Sequence, residues 1–179
     1  FSSANAINLN NVSGNFNLSG LASLSSAITL NGGLLTVSGN AIISEDFTLS
    51  ADSTIDISSD VVLTYTGAAI SVASNNLTMS SAGTFDGSGG ITLNGGVLYV
   101  KDNSIISVPV TVTSDSTIDI YEDKTLTYNN SNAISIGDDF FLVNKGTLKG
   151  SLNFTTNCVL HIDEDLTISG DISNDSSFS

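Results

Sequence analysis

The stretch ITLNGGLLTV (residues 28–37) returns 63 residues later as ITLNGGVLYV (residues 91–100). The copy extends beyond it: SADSTIDISSDVVLTYTG (residues 50–67) is echoed by SDSTIDIYEDKTLTYNN (residues 114–130), and AISV (69–72) by AISI (133–136). Inside each copy, apolar residues come in pairs with one residue between them. That is the mark of a short strand with two inward side chains.

Extended to the whole chain, the pairs sort into three columns. The first is Ile7/Leu9, Ile28/Leu30, Phe47/Leu49, Ile70/Val72, Ile91/Leu93, Val110/Val112, Ile134/Ile136 and Leu152/Phe154. The second is Phe16/Leu18, Leu35/Val37, Ile55/Ile57, Leu77/Met79, Leu98/Val100, Ile118/Ile120, Phe141/Val143 and Leu160/Ile162. A looser third column holds Leu24, Ile43, Leu63/Tyr65, Phe85, Ile106, Leu126/Tyr128, Leu148 and Leu166/Ile168. Successive members of a column lie 18 to 24 residues apart, so the 63-residue copy spans three turns of a finer repeat.

Three short strands per turn of about 21 residues define an all-β chain wound as a parallel β-helix of about eight rungs, each stacked ~4.8 Å above the last. The winding expected is right-handed, following the usual crossover preference. A lone rung buries almost nothing, so stability must come from neighbours. The whole chain, 1–179, reads as one continuous solenoid, either a segment of a longer protein or a stackable filament subunit. A two-sheet sandwich has no reason to keep this beat. Gly32-Gly33, Gly89-Gly90 and Gly95-Gly96 fall between columns, where corners need positive φ. Pro109 takes an outward position, where it removes a ladder hydrogen bond and predicts a bulge or a loosened rung. Cys158 shares the parity of Leu160 and Ile162 and is expected to be buried.

Composition narrows the function classes. Four Lys face eighteen acids, the net charge is −14, and Arg is absent. Neutralising phosphates requires Lys and Arg, so nucleic acid is not an expected partner. No apolar run reaches a membrane span, and direct membrane insertion by this segment is not expected. A single cysteine precludes an internal disulfide framework.

The outward residues offer several chemistries. The first column's outward file is Asn8, Thr29, Thr48, Ser71, Thr92, Thr111, Ser135 and Asn153. An ice-ordering face would confine a strict Thr-x-Thr pattern to one side. In this column only Thr111/Thr113 shows it, and Thr36, Thr78, Thr64, Thr127 and Thr167 take outward positions in the other columns, so Thr is read as a good outward strand residue. In the second column Asp56 and Asp119 are expected three rungs, ~14 Å, apart. A glycosidase pair needs about 5 to 9.5 Å. With His161 isolated, no catalytic residue is assigned and an enzyme is not expected. Acids gather at the corners, at Asp60, Asp102, Asp123 and Asp163-Glu164-Asp165, with Glu45-Asp46 and Asp138-Asp139 elsewhere. Asp60, Asp102, Asp123 and Asp165 are the candidate metal ligands, suited at most to weak calcium binding. No other cofactor is indicated.

LNGGLLTVSGNAIIS (residues 30–44), LNGGVLYVKDNSIIS (93–107) and GTFDGSGGITLNGG (83–96) resemble the β-strand repeats in passenger regions of bacterial autotransporters and filamentous-haemagglutinin-type surface proteins. The resemblance implies a secreted right-handed β-helix at the bacterial cell surface, serving as stalk, coat or adhesin, with no catalytic residues. Its expected partners are a host-surface protein or glycan, or further copies stacked through terminal rungs.

Overall fold

The computed structural model describes residues 7–10, 14–143, 145–156, 158–162 and 165–174. Among them there are twenty-five short strands and no helix. All the strand pairings are parallel, and each joins a strand to its equivalent one turn away, with two strands between them in the chain. The result is a β-solenoid of about eight turns with three strands per turn. Paired residues lie 18 positions apart at the closest, Ile134 opposite Leu152, and 24 at the widest, Ser53 opposite Leu77. The second and third faces are unbroken eight-stranded sheets, whereas the first divides into sheets of three and six strands.

The apolar pairs build this wall because alternate residues of a strand point to opposite sides. Ile28 and Leu30, Leu35 and Val37, Ile91 and Leu93, and Leu98 and Val100 are all buried in one continuous core. Each fully buried Leu or Ile contributes about 1.5–3 kcal/mol relative to exposure. That gain exists only because another rung lies above and below.

The Asn-Gly-Gly corners divide their work between the two glycines. Gly32 and Gly95 have φ of 82° and 93°, which a side-chain-bearing residue rarely adopts. Gly33 and Gly96 instead need the space: a Cβ on Gly33 would lie 2.7 Å from Leu9 Cβ, and one on Gly96 would lie 2.4 Å from the Ala73 carbonyl oxygen. The Gly87–Gly90 stretch accommodates an aromatic ring, since a Cβ on Gly89 would lie 2.4 Å from Tyr65 Cδ1.

The expected columns hold on the third face and, on either side of one interruption, on the first, but on the second face the register shifts at two points. Leu35 stacks on Ile55 as expected, yet Ile55 lies opposite Met79, and Leu77 lies opposite Ser53. One copy later Ile118 lies opposite Leu142, and Ser116 opposite Phe140. Phe140 and Leu142 are therefore the inward pair, fully buried, and Phe141 and Val143 point outward, the reverse of the sequence expectation. The cause is the five-residue strands Ser53–Ile57 and Ser116–Ile120, whose first residue is an inward serine that a search for apolar pairs passes over.

Each serine is anchored in the same way. Ser53 Oγ accepts the Gly32 N–H at 3.0 Å and donates to the Ala51 carbonyl at 2.8 Å. Ser116 Oγ accepts from Gly95 at 2.9 Å and donates to the Ser114 carbonyl at 2.7 Å. Both partners are satisfied, so burying the hydroxyl carries no unpaired-group penalty.

The interruption of the first face lies between Phe47–Ala51 and Ile70–Val72, which share no ladder. In the second copy the corresponding ladder keeps only Thr111 opposite Ser135 and Val112 opposite Ile136. A tyrosine fills each gap. The Tyr65 hydroxyl accepts the Phe47 N–H and donates to the Ala68 carbonyl, and the Tyr128 hydroxyl accepts the Val110 N–H at 3.3 Å.

Pro109 is exposed, as expected, and its carbonyl accepts the Ile91 N–H at 2.9 Å. The loosened ladder beside it is not the proline's doing. The equivalent position in the first copy is Asp46, where the gap is wider. The nearby bulge, between Leu93 and Asn94, has its twin between Leu30 and Asn31. Cys158 is half-buried rather than buried; it precedes Leu160–Ile162, the last described strand of the second face.

Candidate functional site

The second face carries the most varied outward chemistry. Asp119 lies opposite Tyr99, Tyr99 opposite Thr78, and Thr78 opposite Thr54. The register shift moves Asp56 out of this file by two residues. Asp56 and Asp119 thus share neither a rung nor a file, and their geometry does not assemble a carboxylate pair. Burial, followed by repulsion from Asp102, raises the Asp56 carboxyl above its ordinary range.

Beside that file the Lys101 ammonium lies 5.8 Å from the Tyr99 ring centre and 5.4 Å from that of Tyr121. At a surface such contacts contribute about 0.5–1 kcal/mol each. An open groove of about 370 Å³ runs past them, lined by Asp52, Thr54, Asn76 and Thr78. Lys101 is the first basic residue in the chain and occupies the tyrosine faces itself.

The corner acids serve the backbone. Asp60, Asp123 and Asp165 all have left-handed backbone, with φ of 61°, 60° and 67°. Asp60 and Asp123 each end a tight turn between second and third faces; the Val61 N–H bonds back to the Ser58 carbonyl at 3.2 Å and the Lys124 N–H to the Tyr121 carbonyl at 2.9 Å. Asp tolerates this conformation better than most residues because its short polar side chain bonds locally. Asp60 and Asp123 lie three rungs, ~14 Å, apart and Asp123 and Asp165 two rungs, ~10 Å, so no two of these three carboxylates are adjacent.

Asp102, the fourth candidate, accepts the Asn103 N–H at 2.8 Å and the Lys124 ammonium at 3.2 Å, which together hold its carboxyl below the ordinary range. Asp165 faces Lys145 at 3.9 Å. Asp163 and Glu164 lie outside the described residues. Among the described residues no group of three or more acidic, histidine or cysteine side chains is arranged to hold a metal ion.

Other acids and amides bind one rung to the next. Asp46 accepts the Ala68 N–H, Asp52 the Asn76 N–H and Asp139 the Val159 N–H, at 2.8, 2.7 and 2.7 Å. Asn40 accepts from Val62 and Asn103 from Thr125, each at 2.9 Å and each 22 residues on. These side chains cap strand starts that the ladder leaves open, the role of an N-cap transferred to a solenoid. The sequence held a signal for them: Asn40 and Asn103, Ser53 and Ser116, and Tyr65 and Tyr128 are the same residue in both copies. Crowding of carboxylates is clearest where the Asp115 carboxyl lies above its ordinary range through desolvation and the charges of Asp138 and Asp139.

On the first face, Asn8, Thr29 and Thr48 align, and Ser71, Thr92, Thr111, Ser135, Asn153 and Ser173 align separately. The interruption between Thr48 and Ser71 divides the hydroxyl file. His161 stacks on the outward Phe141 with ring centres 4.2 Å apart and planes within 5°. The third face exposes Leu21 and Ile42 at its start. Searches against protein-family models, curated proteins and solved structures return no match to this chain.

Proposed function

We propose that this chain is a non-enzymatic structural or adhesive β-solenoid, a stiff acidic rod that projects or displays surfaces outside the cell. The observation that carries this reading is where the polar side chains are used. Three of the candidate acids occupy left-handed turn positions and the fourth pairs with Lys124, the amides of Asn40 and Asn103 join rungs, and no buried side-chain polar atom among the described residues lacks a partner. Polar groups committed to the scaffold are the pattern of a load-bearing element, whereas a catalytic site needs polar groups aimed at a substrate. The resemblance to autotransporter and filamentous-haemagglutinin passengers supports an extracellular, bacterial-surface setting, with a host glycan or host protein as the adhesive partner.

Electron microscopy and single-molecule pulling test the structural half. A rod that lengthens by ~4.8 Å per rung and resists extension is the expected result. A compact particle that yields at low force would overturn it. Glycan and host-protein arrays test the adhesive half. Product release from any polysaccharide would favour an enzyme instead.

A second reading is end-to-end assembly. The last described rung leaves Ile162 and Ile172 about half exposed, as a rung awaiting cover does. Concentration-dependent light scattering abolished by Ile172→Asp would support it, and a strictly monomeric chain at high concentration would count against it.

A further inference from the structure

The sequence contains two Asn-Gly steps, Asn31-Gly32 and Asn94-Gly95, one in each copy. Asn-Gly is the dipeptide in which backbone cyclisation meets least steric resistance, because glycine places no Cβ near the attacking nitrogen. Both asparagines are exposed. Both glycines have left-handed φ, so the corner cannot readily exchange them for a residue that would slow the reaction.

The chemistry is self-contained apart from water. The glycine nitrogen gives up its proton to hydroxide and attacks the asparagine Cγ. An N–Cγ bond forms, the Cγ–Nδ2 bond breaks, and the amide nitrogen leaves as ammonia after taking a proton from water. Water then opens the resulting succinimide at either carbonyl, giving aspartate or isoaspartate. Isoaspartate lengthens the backbone by one methylene, at a residue that pairs with Ala51 or Ser114 beside a bulge. A strand that gains backbone length there loses its register.

We propose that Asn31 and Asn94 are latent deamidation sites and that Ser53 and Ser116 hold them in check. The nitrogen that would attack is in each case the donor to a serine from the next rung, Gly32 to Ser53 Oγ at 3.0 Å and Gly95 to Ser116 Oγ at 2.9 Å. The serine hydroxyls are nearly fully buried. Their own protons go to the Ala51 and Ser114 carbonyls, so each presents only lone pairs to the glycine N–H. Deprotonating that nitrogen therefore means breaking a sheltered hydrogen bond, and swinging it toward Cγ means leaving the serine. Extended backbone at the asparagine, the last residue of its strand in both copies, adds a second barrier to ring closure.

The test is peptide mapping by mass spectrometry of the full chain held at mildly alkaline pH, comparing wild type with Ser53→Ala and Ser116→Ala. Both sites in the folded wild type should convert several-fold more slowly than the same sites in urea. Ser53→Ala should accelerate Asn31 several-fold and leave Asn94 at its wild-type rate, and Ser116→Ala should do the reverse. An unchanged rate at the variant's own site would overturn the proposal. So would equal acceleration at both sites, which signals general loosening rather than a lost clamp. Amide hydrogen exchange of the wild type gives a check that needs no variant: Gly32 and Gly95 should be protected, and exchange at the unfolded rate would overturn the assignment.

Discussion

The Tyr65 hydroxyl lies 3.1 Å from the Phe47 backbone nitrogen and accepts its N–H where, among the described strands, the first face has no ladder. The Tyr65 ring also lies 4.9 Å from that of Phe47 and 5.9 Å from that of Phe85. One side chain thus replaces a strand-to-strand hydrogen bond and fills the widened core there. Tyr65→Phe should destabilise the protein by about 1–3 kcal/mol, the cost of leaving buried donor and acceptor unpaired. Tyr128→Phe should cost less, because its rung keeps a two-residue ladder. Urea denaturation of both variants checks the order.

The same hydroxyls predict alkaline sensitivity. Desolvation raises the pKa of both Tyr65 and Tyr128 above the ordinary 10.0, outweighing the backbone hydrogen bonds that lower it. A raised folded-state pKa means that between the ordinary 10.0 and that higher value the folded chain binds more protons than the unfolded chain. Their contribution is complete below pH 10 and is lost as pH rises through the folded-state pKa. Tyrosinate absorbance should appear together with loss of the strand signal in circular dichroism, and Tyr65→Phe should flatten that dependence.

At the Asp115, Asp138 and Asp139 corner the sign is also set by a raised acid. Desolvation, and then the neighbouring charges of Asp138 and Asp139, disfavour the ionised Asp115 carboxyl, so stability from this group is present at acid pH and lost as pH rises through the Asp115 value. Asp115→Asn should raise the melting temperature at neutral pH and have little effect under acid conditions. An equal gain at both would point to a cause other than charge.

Register on the second face can be read by truncation. Phe140→Ala should cost about 3–5 kcal/mol and Ile118→Ala about 2–5 kcal/mol, as for packed core sites. Phe141→Ala, which removes an outward ring stacked on His161, should cost far less than Phe140→Ala. Equal costs at 140 and 141 would contradict the observed parity.

The three-rung copy should behave as a removable cassette. Excising residues 53–115 joins Asp52 to Ser116 and lets Ser116 take the Gly32 N–H in place of Ser53, with Ile118 stacking where Ile55 did. The shortened chain should melt cooperatively with an unchanged circular-dichroism spectrum per residue, since each rung depends only on its neighbours.

The repeat of apolar pairs was enough, from sequence, to reveal three faces, parallel stacking and nearly all of the core, because a buried ladder tolerates few residue types and must recur once per turn. Residues 138–143, Asp-Asp-Phe-Phe-Leu-Val, did not reveal their own parity: Phe140/Leu142 and Phe141/Val143 are equally apolar, and the choice fell to Ser116, two strands' worth of chain away around the coil. The acids were likewise ambiguous. In sequence Asp60, Asp102, Asp123 and Asp165 are a column of carboxylates suited to a cation, and in space three of them shape left-handed turns while the fourth pairs with a lysine. Periodicity is a local property repeated, whereas a hydrogen bond between rungs joins residues about twenty positions apart, and only the wound chain brings them within reach.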